Sequence, residues 1–258
     1  MNNTLPTQSS LDYGSTIERT YTSSHPKVLQ YTEFFGTRAN NFGIFDEYDK
    51  NFKPEKERAV VVGTQWHRFS AFMPWFLCQA AAQVSTNEKR HYVIQTAFEE
   101  LGMRESTEIH PDMFWSAAQI AGATIKDQDR LKNETSVSGA LDYLKETILT
   151  THTDAEVLGL LLGLEIPAVE NIDEIFRALS HSPEVKAKVA ETKFFKIHRQ
   201  IEIEHVRLTI SNFLRFCKES HEEINFIEGF DKGLLFWKRF WNSLSDLVKT
   251  EKLGVSLK

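Results

Sequence analysis

Cysteine is nearly absent from this chain, with only Cys78 and Cys217 among 258 residues. That excludes a disulfide framework and a cysteine-based zinc pattern, and two buried thiols in a reducing compartment are expected. Positive charge is not concentrated anywhere. The formal net charge is −6 and no basic block stands out, so nucleic acid or an anionic membrane is disfavoured as the main partner. Long apolar runs are missing too. Charge or proline interrupts every one well short of the roughly 20 residues that a membrane span needs. The first residues, MNNTLPTQSSLDYGS, lack the basic start and apolar core of a secretion signal, so a cytoplasmic protein is expected. Alternating strand patterns, Asn-Gly hairpins, glycine-rich phosphate loops and a nucleophile elbow are all lacking.

What is present is helical periodicity and aromatic bulk. Hydrophobic residues make up 41% of the chain and charged ones 26%, with 19 Phe and 5 Trp. That is an ordinary balance for a globular core, here with an aromatic-lined interior. Residues 1–22 are polar and predict a flexible tail; residues 23–258 predict one all-α domain, a bundle of about seven to nine helices. Ser24-His25-Pro26 opens the first helix, which runs towards Gly36. An irregular connection is expected over 37–54. A helix over 55–84 is expected to kink or split at Pro74. Thr86 or Asn87 caps the next, which stops at Gly102, and His110-Pro111 opens a short one ending near Gly122. Residues 123–134 read as a loop, and helices follow over about 136–151 and 154–167, the latter with a Thr153/Glu156 capping box. From Ser182 a long helix is expected to reach about Glu219. The last helix covers about 222–252, with Gly229 and Gly233 weakening its first half.

The long helix carries the organising motif, KFFKIHRQIEIEHVRLT over 193–209. His198, Glu202 and His205 fall at i, i+4 and i+7, on one face with Phe194, Ile201 and Leu208. Two imidazoles and a carboxylate in an apolar seam each need a partner, and a metal ion can serve all three. Two further pieces hold residues of the same kinds. In AFEELGMRESTEIHPDMF, Glu100 ends one helix and His110 starts the next. In LGLLLGLEIP, Glu165 ends an otherwise apolar turn and a half.

These pieces, in this order, resemble the heme-oxygenase-like diiron oxidases, relatives of the thiaminase and pyrroloquinoline-quinone-synthase proteins. EELGMRESTEIHPDMFWSAAQIAG is similar to that family's EExG…HPxLF stretch, and KFFKIHRQIEIEH to its FFxxHxxxDxxH stretch. The likeness runs from about residue 60 to 215. Carried over, it makes Glu100, His110, Glu165, His198, Glu202 and His205 the ligands of two Fe(II) ions, with O2 as co-substrate. Glu202 stands where the family more often has Asp. Glu100 is preferred to Glu99 because it lies two residues before Gly102, with Glu99 expected on the exposed side.

The resemblance implies an O2-using oxidoreductase of specialised metabolism. Its members carry out N-oxygenation, oxidative C–C cleavage or nitrile formation on small amino-acid-like, amine or fatty-acid substrates. It also implies a homodimer and leaves room for an external electron donor. Arg68, Phe114 and Phe195 are candidate substrate contacts: a guanidinium fork for a carboxylate, and two rings for an apolar body. A thiaminase-type hydrolase would need a Cys nucleophile before Glu165, and residues 154–164 hold none. A ferritin-like centre would need paired Glu-x-x-His motifs, which are absent. The non-enzyme alternative is a metal-free helical binding or scaffold protein of the same fold.

Overall fold

The computed structural model describes residues 26–50, 52–103, 108–216 and 219–252. The expected tail and Cys217 lie outside them. The described residues form twelve helices and no strand: α1 (Pro26–Phe42), α2 (Asp46–Lys50), α3 (Lys56–Gln83), α4 (Asn87–Glu100), α5 (His110–Ile120), α6 (Ile125–Leu131), α7 (Thr135–Thr150), α8 (Asp154–Glu165), α9 (Ala168–Leu179), α10 (Pro183–Ala190), α11 (Lys193–Phe216) and α12 (Ser220–Lys252). Nine of these have eleven residues or more, which is the expected bundle; α2, α6 and α10 are short additions.

At the centre lies α8. From Val157 to Glu165 every residue is buried, so this helix has no wet face and needs neighbours all round. Its most extensive partner is α12. The two backbones meet through glycines: a Cβ built on Gly159 would stand 2.0 Å from the Phe226 carbonyl oxygen, and one on Gly163 2.3 Å from that of Phe230. On the other side, a Cβ on Gly229 would stand 2.1 Å from the Glu156 carbonyl oxygen. Gly229 and Gly233 are therefore the surface that lets α12 lie on α8. Trp237 Nε1 donates to the Leu164 carbonyl (3.0 Å), pinning the C-terminal end of α8 just before Glu165. α11 packs against α8, α9 and the ends of α4 and α5.

Several local expectations are revised. α1 continues past Gly36 because Phe35 and Ala39 are both core residues, and α2 follows it where an irregular link was expected. Pro74 sits inside α3 without dividing it. Thr124 and Asp127 form a reciprocal capping box that starts α6 within the expected loop. At Thr153 only half of a box forms: its side chain accepts from the Glu156 N–H, while the Glu156 carboxylate pairs with Lys232. The long helix expected from Ser182 is two helices. α10 closes with Glu191 and Thr192 N–H bonds to the carbonyls of Lys188 and Val189, and α11 starts afresh. Cys78 is exposed rather than buried.

Candidate metal centre

Four helices bring the carboxylates and imidazoles together. α11 contributes His198, Glu202 and His205, all buried, as its seven-residue spacing requires. α8 ends on Glu165 and α5 begins on His110, both buried. α4 stops where it does because Gly102 (φ +79°) reverses the chain. Gly102 N–H bonds to the Glu99 carbonyl and Met103 N–H to that of Phe98, both at 2.9 Å, which is a Schellman closure. The last turn of α4 thus presents Glu99 and Glu100 to the centre.

The side chains fall into two linked groups. In the first, His110 Nδ1 lies 3.1 Å from Glu100 Oε1 and 3.1 Å from His198 Nε2. His198 Nδ1 donates to the Phe194 carbonyl at 3.0 Å, so its Nε2 faces inward with a lone pair. Burial lowers the His198 pKa to about 4, which keeps the ring neutral. For His110 burial acts in the same direction, but the hydrogen bond and charge of Glu100 outweigh it and raise the pKa.

In the second group, His205 Nδ1 stands 3.5 Å from both Glu165 Oε2 and Glu202 Oε2. Glu165, Glu202 and His205 can each offer one ligand atom with all three within 4.8 Å of one another. Burial, reinforced by the Glu202 charge, pushes Glu165 up to about 7. Burial would raise Glu202 as well, but the hydrogen bond and charge of His205 hold it below the usual carboxylate range. His205 itself is raised well above an ordinary imidazole, since its carboxylate neighbours overcome the burial that alone would lower it. Two buried carboxylates share one imidazole here. That deficit of positive charge is what a cation would fill.

A cavity of about 60 Å³ opens beside the centre, with Glu100, Glu165, His198 and Glu202 on one wall. Trp66, Phe69, Met73, Ile172 and Trp237 form much of the rest, and Ser70 adds a neutral hydroxyl. Among the described residues, no Lys or Arg lines it.

The expected substrate contacts lie elsewhere. Arg68 bonds to Gln65 Oε1 (2.9 Å), Ser138 Oγ (2.9 Å) and the Leu131 carbonyl (3.4 Å). It ties α3 to the α6–α7 connection because its position on α3 points away from the face that carries Trp66. Phe114 is fully buried against Phe194, and Phe195 packs on Phe176; of these rings it is Phe194 that reaches the cavity. Glu99, expected on the exposed side, is half-buried and bonds to His205 Nε2 at 2.8 Å. Its sequence signal was the pair of adjacent carboxylates in a last helical turn, where the helix dipole favours cations instead.

Residues 62–238, more than half of the chain, match the family described as iron-containing redox enzymes. The chain belongs to that family. Its fold is the heme-oxygenase-like all-α fold that the sequence resemblance implied. Crystal structures of a CADD-like protein of unknown function from Nostoc punctiforme share it. One superposes with a TM-score of 0.62 at 14% identity, covering 91% of this chain and 96% of that one. Another gives 0.62 at 13% identity over 86% and 98%. No curated protein matches the sequence.

Proposed function

We propose that this iron-containing redox enzyme is a non-heme diiron oxidase or oxygenase, with Glu100, His110, Glu165, His198, Glu202 and His205 as the ligands of two Fe(II) ions. The observation that carries the reading is the buried trio of Glu165, Glu202 and His205, joined through Glu202 and His198 on α11 to Glu100 and His110. Three imidazoles and three carboxylates suit iron, and the carboxylates offset the charge of a close metal pair. When bound, the irons would supply the capacity to reduce O2, with an external donor supplying further electrons where the reaction needs them.

The chain does the remaining work. The Phe194 carbonyl holds His198 in the tautomer that points Nε2 inward. The aromatic wall of Trp66, Phe69 and Trp237 keeps water from the centre and holds the apolar body of a small substrate. The Ser70 hydroxyl would orient a polar group on it. A small amine, amino acid or fatty acid whose reacting end meets Glu100 and Glu165 is the candidate substrate class, and N-oxygenation, C–C cleavage and nitrile formation are the candidate reactions.

Anaerobic Fe(II) titration followed by O2, watched by visible absorbance, tests the proposal. Uptake near two irons per chain, with an O2-dependent band altered by one substrate class, is the expected result. His198→Ala or His205→Ala should abolish that response while helicity stays nearly intact. A chain that takes up no iron would instead be a metal-free binding protein of the same fold.

A further inference from the structure

We propose that Glu99 is a positioning residue of the iron centre, holding His205 from the far edge of its ring. The inference rests on the diiron reading and adds a seventh side chain to it. His205 Nε2 donates to Glu99 Oε2 at 2.8 Å, and Nδ1 on the opposite edge faces Glu165 and Glu202. An imidazole has one nitrogen on each edge, so a proton kept on Nε2 makes Nδ1 the nitrogen that gives up its proton when a cation arrives, with its lone pair then directed between Glu165 and Glu202. Glu99 therefore cannot share the ion that Nδ1 faces, and its effect passes through the ring.

A second observation points the same way. Glu99 and Glu100 occupy the last turn of α4, which contains no basic residue. Carboxylates there oppose the helix dipole, so local helix energetics give no reason for the pair. Their reach does: Glu100 meets His110 and Glu99 meets His205. One turn of α4, locked by the Gly102 closure, thus holds an imidazole of each group. His198 is held the same way, with the Phe194 carbonyl in the part that Glu99 plays for His205.

Glu99→Gln retains an oxygen that can accept from Nε2–H; Glu99→Ala removes it. The test is anaerobic Fe(II) titration of the wild type, both variants and His205→Ala, with ¹⁵N-histidine spectra of the zinc-loaded, diamagnetic proteins. The expected result is a ten- to hundredfold weaker second iron in Glu99→Ala and near-wild-type affinity in Glu99→Gln. The His205 Nε2–H signal should persist in wild type and Glu99→Gln and be lost in Glu99→Ala. If Glu99→Ala binds both irons as the wild type does and keeps that signal, the positioning role is overturned while the diiron reading stands. If Glu99→Gln loses one ion as fully as His205→Ala, Glu99 is itself a ligand and the role is equally overturned. If the wild type binds no iron, the diiron reading fails and takes this role with it.

Discussion

A carboxylate taken out of water either finds positive charge or holds on to its proton, and Glu202 and Glu170 show the two cases. Glu202 has His205 beside it, whose hydrogen bond and charge hold its carboxyl below the usual range. Glu170, half-buried in the first turn of α9, has desolvation and the like charges of Asp173 and Glu174, which push it up to about 7. Because its folded pKa is raised, the folded state holds that proton more tightly than the unfolded chain does. Its contribution is therefore complete at low pH and is lost as pH rises from the ordinary carboxylate range through about 7. Glu170→Gln should remove that loss, making the variant more stable than wild type at pH 8 by about 1–3 kcal/mol relative to their difference at pH 5. Urea unfolding at the two pH values measures it. At this scale the centre was partly legible in the sequence. His198, Glu202 and His205 could be read because a helix converts their spacing into one face. Glu99 was only half legible: the paired carboxylates stand out at a helix end, but adjacent residues there diverge by a large angle, and only the positions of α5 and α11 show that both directions are occupied.

Among the elements, α8 and α12 set the spacing of the whole bundle. Gly163→Ala places a methyl group 2.3 Å from a backbone oxygen of α12, and no rotamer change can relieve that. A loss of about 3 kcal/mol or more is expected, with Glu165 displaced and iron affinity lowered alongside. Gly139, in α7, has nothing within 4 Å of a built Cβ. Gly139→Ala should gain about 0.5–1 kcal/mol from helix propensity alone, and chemical denaturation of the pair contrasts packing with propensity. The same contrast explains what sequence reading missed. Judged as a single helix, Gly229 and Gly233 are weak points; judged as a contact, they are what makes it possible. Boundaries set by side-chain caps, such as Thr86 and Thr153, were readable because the interaction is local. The break between α10 and α11 has no Gly or Pro to mark it, so the periodicity runs on through Glu191 and Thr192.

Among the described residues, no helix is long and apolar enough to cross a membrane, and for the molecule as a whole stability rests on the bundle core together with whatever the centre binds. The six proposed ligands come from four helices between residues 100 and 205, so iron would cross-link segments far apart in the chain. Ligand linkage gives about 2.7 kcal/mol per site at a hundredfold excess over the dissociation constant. Anaerobic Fe(II) should accordingly raise the melting temperature by roughly 5 °C or more, and a chelator should return it to the starting value; an unchanged melt would count against a preformed site. The cavity wall adds a convenience of its own. Two of the five tryptophans, Trp66 and Trp237, line it with ring planes only 11° apart and centroids 5.5 Å apart. Indoles so placed couple their strong transitions, giving a circular-dichroism signal of their own, and their emission is open to quenching by a nearby metal ion. The protein thus carries an optical gauge of its own interior, able to register an arriving metal or ligand before any product has been identified.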